Sequence, residues 1–302
     1  SHRAHTDGVV EATDSGKKAH LMVRGKNKRT QLLGDTGIFL MLLFFALIVL
    51  IPMLWMIGVA IKPASEYWDS PPVWISKEST IQHFINITKF NAGYRALLNS
   101  FVVAVFATSI SMIIGTAAAY GLARLRQRGD IWAIFFISQR ILPPVALVIP
   151  LYLLMRQFGW IDTYQGLILP YVAMNIPFVV WMMRGYFLEI PTAIEESAMT
   201  DGCSRFSALY FVVLPLVRPG LLATSVFVWI FVWSEFLIGL FITQTSATTT
   251  AAVQLPSFTI ANDVLWGEMA AFSLLMATPI LIMGLLIQRY FVRGLTLGAI
   301  KG

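Results

Sequence analysis

Residues 195–206 read EESAMTDGCSRF, a charged, helix-forming interlude in a chain that is otherwise strongly apolar. Of the 302 residues, 57% are hydrophobic and only 13% are charged, with a mean hydropathy of +0.71. Those values lie outside the usual range for a soluble domain of this length. The natural solvent for such a chain is a bilayer, so a polar segment between two apolar runs needs a physical reason.

The runs on either side are long enough to cross the membrane. About 20 apolar residues are needed to span roughly 30 Å of hydrocarbon as an α-helix. Hydropathy places spans near 37–61, 98–123, 131–155, 164–184, 215–243 and 269–292, which predicts an all-α integral membrane protein with six transmembrane helices. Residues 1–36 form a polar, basic tail, too long and followed by too extended an apolar run for a cleaved signal peptide, so the first span is expected to be retained. The division is then a tail, 1–36, and a transmembrane domain, 37–302.

Six spans put both termini on one side. With the tail inside, the inner segments collect Arg3, Lys17, Lys18, Arg24, Lys26, Lys28, Arg29, Arg124, Arg126, Arg128, Arg184, Arg205, Arg218, Arg289, Arg293 and Lys301. The outer segments hold only Lys62, Lys77, Lys89, Arg95 and Arg156. The excess of Lys and Arg orients the chain N-in and C-in. Its net charge of +6 is explained by this asymmetry and calls for no nucleic-acid partner; the basic tail is expected to lie in part on anionic membrane lipid. The outer segment 62–97 carries KPASEYWDSPPVW, read equally as a structured lid or docking surface and as an interfacial aromatic belt.

In this orientation residues 185–214 lie in the cytoplasm. Pro191 stands near a helix start, Glu195 and Glu196 fall in the early turns where the macrodipole favours acids, and Gly202 stands where a helix can stop. Ser204 can cap a second short helix, SRFSALYFVV, that runs to Leu214-Pro215 and the next span. Physics alone leaves two readings of this hairpin: an ordinary amphipathic connector, or a docking element whose small Ala198 and Gly202 admit a close partner.

The spacing Glu196-Ser197-Ala198, three residues, Gly202, nine residues, Val212, one residue, Leu214-Pro215 resembles the EAA loop of ABC-importer permeases, with Ser for the middle Ala and Val for Ile. The C-terminal QRYFVRGLTLGAIKG, the stretch NSFVVAVFATSISMIIGTAAAYGLARL and WSEF at 233–236 are similar to the carbohydrate-importing, MalG-like branch. The resemblance covers most of 37–302. It implies that the hairpin is a coupling helix seated in a cleft of a cytoplasmic ATPase. Glu196 would then pair with a basic ATPase residue, Ala198 and Met199 would supply apolar contact, and Gly202 would make the turn. Glu195, Ser197, Asp201, Leu214 and Pro215 would complete the coupling element, and the tail GLTLGAIKG would extend toward the ATPase.

The resemblance further implies a second, MalF-like permease, a dimeric ABC ATPase, an extracytoplasmic solute-binding protein and a bacterial or archaeal cytoplasmic membrane. The chain has no phosphate-cradling G-x-x-x-x-G-K-[ST]; the nearest string, DSGKKAH, lacks its first glycine and its Ser/Thr. ATP and Mg are therefore expected on the separate ATPase, with no cofactor or metal on this chain and no enzyme activity of its own.

Candidates for the solute path are the polar and aromatic residues within spans: Arg140, Asn175, Trp181, Trp233 and Glu235. Arg140 would sit about nine residues into the third span, roughly 14 Å deep at 1.5 Å per residue, where an unpaired charge is costly. Two readings stand: it lines the aqueous path or grips a hydroxyl or anionic group, or it pairs with an acid or helix-end carbonyls for packing, and the neighbouring Pro143, Pro144 and Pro150 are expected to break regular helix. A stand-alone secondary transporter or channel is the alternative, although Arg140, Asn175 and Glu235 are a thin set for ion coupling. A membrane enzyme has less support. The four histidines all lie outside the spans and Cys203 is the single cysteine, leaving no intramembrane Ser/His pair, metal site or intramolecular disulfide.

Overall fold

The computed structural model describes residues 28–89, 93–125, 128–260 and 263–298. They are almost entirely helical. The chain separates into two compact units at Met56 and Ile57. In the first unit the described residues form one helix, α1, which runs over Lys28–Ile61 and whose last turn belongs to the second unit. Its segment Thr36–Ile61 is strongly apolar around its whole circumference, as a lone span in lipid requires.

The second unit holds the remaining helices. After α2 (Gln82–Lys89) come α3 (Gly93–Arg124), α4 (Gly129–Ser138, extended by a tight turn over Gln139–Ile141), α5 (Pro144–Gln157) and α6 (Tyr164–Leu188). They are followed by α7 (Thr192–Thr200), α8 (Arg205–Leu216, with a π-helical turn at Leu209–Val213), α9 (Arg218–Trp233), α10 (Leu237–Ile242) and α11 (Ala251–Gln254). A two-residue antiparallel ribbon, Thr259–Ile260 with Asp263–Val264, leads into α12 (Trp266–Gly298). Among the described residues four helices are long and apolar enough to cross a membrane, or up to six if each bent pair is one span.

The two bent pairs divide two of the spans placed by hydropathy, the first of them at the prolines expected to break it. Residues 131–155 are not one helix: the chain turns by 89° between the Gly129–Ile141 and Pro144–Gln157 segments. Leu142 and Pro143 adopt extended ψ values of 124° and 130°, because Pro143 and Pro144 disfavour helical geometry in the residues before them. Arg140 therefore sits beside a break, and the depth of a straight helix does not apply to it. Residues 215–243 divide as well, with a 78° bend between α8 and α9 and a helix stop at Trp233 before α10.

The core of the second unit is the seam between α3 and α6, its most extensive helix pair. On α3 the buried stripe runs Ala96, Ser100, Ala104, Thr108, Ser111, Gly115 and Ala119, small residues three or four apart on one face. In lipid, small side chains let helix backbones approach and gain dispersion and packing, since the surrounding tails are as apolar as the core. At Gly115 the approach is closest: a Cβ there would lie 2.6 Å from the Val179 side chain.

On the side where 156–163 and 243–265 lie, Asp162 fastens two connections together. It accepts hydrogen bonds from the amides of Gln244 (3.0 Å) and Thr245 (3.1 Å) and from the hydroxyls of Thr245 (2.6 Å) and Thr248. Its own amide donates to Ile242 O at 2.9 Å. Asp162 adopts φ 57°, a conformation that Asp and Asn tolerate better than most residues. Partial desolvation pushes its carboxyl up, but the side-chain and backbone donors outweigh that and lower the pKa to about 2.

The segment after α1 is tied to the start of α12 through His83 and Asn86. His83 Nδ1 lies 3.2 Å from Glu268 Oε1, Asn86 donates to the same oxygen at 2.8 Å, and Tyr67 Oη lies 3.0 Å from His83 Nε2. Burial, then the nearby Glu268 charge, pushes the Tyr67 phenol up to about 12. Trp68 and Trp74 remain exposed, so KPASEYWDSPPVW belongs to a folded segment with tryptophans on its surface, an arrangement compatible with a docking surface and with an aromatic belt alike.

Candidate functional sites: a helical hairpin and an intramembrane cavity

The hairpin is built from its caps. Helix α7 starts after Pro191 and ends in a left-handed turn at Gly202, φ +95°. The amide of Cys203 donates to Ala198 O at 3.0 Å and that of Gly202 to Met199 O at 3.1 Å, the paired bonds that satisfy the last carbonyls of a helix. Ser204 then caps α8, its side chain accepting from Ser207 N at 3.2 Å. Both caps fall where the sequence places them. Helix α6 continues to Leu188, so the hairpin proper is shorter than 185–214 suggests.

Its two adjacent acids face opposite ways. Glu196, Ser197, Asp201 and Gly202 are exposed, Ala198 and Met199 are half-buried, and Leu214 and Pro215 are half-buried where α8 turns toward α9. Glu195, grouped with them from sequence, is buried. It accepts from Arg124 Nε at 2.9 Å and from the Arg124 terminal nitrogen, and from Tyr120 Oη at 2.9 Å. The hairpin also presents Phe206, 75% exposed, with Ile194, Tyr210 and Phe211. The sequence places 204–213 in the hairpin's second helix, but local pattern does not show which of its apolar residues stay uncovered; that depends on tertiary packing.

The second site is a cavity of about 520 Å³ bounded by the break between α4 and α5, by α6 and by the end of α9. Arg140, Asn175 and Glu235 all line it, with Gln139, Tyr171 and Phe231. The Arg140 guanidinium lies over two rings, 5.1 Å from the centre of Phe178 and 4.9 Å from that of Phe231, a favourable cation–π arrangement. No acid among the described residues is within ion-pair distance of it.

Glu235 is otherwise engaged. Its carboxylate accepts from the amides of Ile238 (2.9 Å) and Gly239 (3.2 Å) and from Tyr171 Oη (2.7 Å), so it caps α10 and ties it to α6. Asn175 is buried and donates back to Tyr171 O at 2.8 Å. The two tryptophans lie elsewhere. Trp233 is buried, stacked on Trp229 at 4.8 Å, and donates to Met276 O at 3.1 Å. Trp181 is half exposed and borders a separate depression with Arg184 and Glu189. The tryptophans thus do not face the cavity that the three polar candidates share.

Residues 111–297 match the family described as binding-protein-dependent transport system inner membrane component. The chain belongs to this family. It is 35% identical over 252 residues to the diacetylchitobiose uptake system permease protein DasC of Streptomyces coelicolor, covering 83% of this chain and 91% of that protein. It is 34% identical over 266 residues to the trehalose/maltose transport system permease protein MalG of Thermococcus litoralis, covering 86% and 94%. Its fold is similar to that of a chain of a bacterial ABC transporter that imports the acidic polysaccharide alginate, with a TM-score of 0.74, 21% identity and coverage of 88% and 98%. The protein is thus a multi-pass inner-membrane component of an ABC transporter, as its sequence resemblance implies.

Proposed function

We propose that this chain is one permease of an ATP-driven importer for a sugar, polyol or related glycoside, and that it couples solute movement to a separate ATPase. The observation that carries the coupling role is the hairpin. It is rigidly capped at Gly202 and Ser204, presents the exposed acid Glu196 and the exposed ring Phe206, and continues through α8 into α9. A short lever of that kind transmits rigid-body motion of an attached protein into the membrane. Relatives named for diacetylchitobiose and for trehalose and maltose support the carbohydrate class.

In this reading the chain has six spans, with each bent pair counted as one, and both termini in the cytoplasm. It pairs with a second, MalF-like permease. A dimeric ATPase binds ATP and Mg inside, and a solute-binding protein delivers the cargo outside. The residues 1–36 form a basic tail and 37–302 the transporting domain. The tail 299–302 and most of 1–36 lie outside the described residues.

The cavity beside Arg140 would be this subunit's share of the path. Broken helices are tolerated at membrane depth where the freed backbone faces protein or a water-lined space, and the break at Leu142-Pro143 adjoins the cavity. The test is ATP-dependent uptake by the reconstituted transporter with Glu196→Ala or Gly202→Asp. Both variants should insert normally, and uptake should fall by about an order of magnitude or more, the cost of losing one charged contact or distorting the turn. Normal uptake by both would remove the coupling role.

A further inference from the structure

We propose that Arg124 and Glu195 are positioning residues that join the hairpin to the second span, so that α7 and the inner end of α3 move as one body. The inference rests on the coupling role just given to the hairpin and adds a second route out of it.

The first route is covalent, through α8 to α9. The second is a compact polar knot. Arg124 is the last residue of α3. Its Nε and one terminal nitrogen donate to Glu195 Oε1, its other terminal nitrogen donates to Phe187 O at 3.1 Å, and Tyr120 Oη donates to Glu195 Oε2. The guanidinium also lies 5.6 Å from the centre of the Tyr120 ring, which meets Phe187 edge-on at 5.5 Å. Three elements, α3, the end of α6 and α7, meet at one guanidinium: Arg124 of α3 donates to Phe187 O of α6 and to Glu195 of α7.

The Arg124 and Glu195 side chains are 19% and 8% exposed. A buried pair costs desolvation that its attraction only roughly offsets, so its presence is weak evidence for stability. What it supplies is directional attachment: an Arg fork fixes the carboxylate in place and orientation. The attachment is needed because the other extensive contacts of α7 are with the second arm of its own hairpin. Without the knot α7 would lose its hydrogen-bonded attachment to α3 and keep chiefly its chain ends and its contacts with α8. With it, displacement of Glu196 by a partner is delivered through the adjacent Glu195 to α3, and α3 carries it along the tight Gly115 seam to α6. The neighbouring acids thus divide the work: one is presented outward and one is tied inward.

The test uses the complete transporter, with its ATPase, second permease and binding protein, in proteoliposomes. The Arg124→Cys/Glu195→Cys variant is made in a Cys203→Ser background whose own uptake per ATP hydrolysed is the reference. With free thiols the ATPase should still co-purify while uptake per ATP falls about tenfold, the scale of a typical coupling free energy. Joining the two thiols with a flexible bifunctional methanethiosulfonate should return the ratio to within about twofold of the reference, since a rigid-body tie works equally well when covalent. A merely structural pair would not be restored by that link. An unchanged ratio with free thiols, or a low ratio that linking does not raise, overturns the proposal.

Glu195→Gln serves as a milder second variant. It keeps the shape of the knot and removes its charge, and should lower uptake per ATP about threefold; an unchanged ratio again overturns the proposal. Gly202→Asp separates the two levels. If it leaves ATPase co-purification and uptake intact, the coupling role of the hairpin itself fails, and this inference fails with it.

Discussion

The α3–α6 seam and the cavity beside Arg140 solve opposite problems within one apolar unit. Along the seam two long helices meet, with Gly115 of α3 set against Val179 of α6 and small residues such as Ala104, Ser111 and Ala119 buried on α3, and the helical backbone bonds are satisfied internally. Around the cavity the helices are short and broken, and a guanidinium, a carboxylate and two amides line the space. The difference teaches that small residues make a fixed scaffold here, whereas prolines and polar groups open room next to it. One side is close-packed and the other leaves a cavity lined by polar groups.

The largest effect on stability is expected where the seam is tightest. Gly115→Leu would force a side chain into Val179 and should cost about 3 kcal/mol or prevent folding, as overpacking of a close contact does. Thermal unfolding in detergent checks it, and an unshifted transition would show that the seam is not tight.

Next comes the cavity wall. Glu235→Ala removes the cap of α10 and leaves the Tyr171 hydroxyl without its acceptor, which should cost about 2 kcal/mol. Glu235→Gln, which retains an acceptor oxygen, should cost about half as much by the same measurement.

Asp162→Ala should cost about 1 to 2 kcal/mol through loss of a multiply hydrogen-bonded carboxylate, with faster hydrogen exchange at Gln244 and Thr245. Because its folded pKa of about 2 lies below the ordinary 3.8, this stabilisation is complete above the ordinary value and is lost only as pH falls through about 2. Exchange at the two amides should therefore show no titration step from Asp162 between about pH 5 and pH 8. A step in that window would contradict the assigned bonds.

The smallest stability effect belongs to Arg140→Ala, about 1 kcal/mol for its stacking on two rings, yet uptake should drop clearly. Unchanged uptake would take Arg140 out of the path and leave it a packing residue.

How much of this was legible beforehand depends on the range of the interactions. The caps at Gly202 and Ser204 are local chemistry, and the sequence places both. The break at Leu142-Pro143 was legible in Pro143 and Pro144, whereas Pro150, read with them as a breaker, lies inside α5; the 89° turn itself was not legible. The opposite fates of Glu195 and Glu196 depend on which face α7 turns toward Arg124, a residue 71 positions away in sequence; nothing local distinguishes the two acids. Likewise, Arg140, Asn175 and Glu235 were singled out as polar residues among apolar ones. That they share one cavity while Trp181 and Trp233 do not is set by tertiary packing.

The most direct test of the central claim is to purify this chain from its native membrane in mild detergent and identify what accompanies it by mass spectrometry. The wild-type chain should bring an ABC ATPase and a second permease, and Gly202→Asp should keep the permease while losing most of the ATPase. Recovery of the wild-type chain alone in several gentle detergents, or full ATPase retention by Gly202→Asp, would contradict a hairpin-coupled importer.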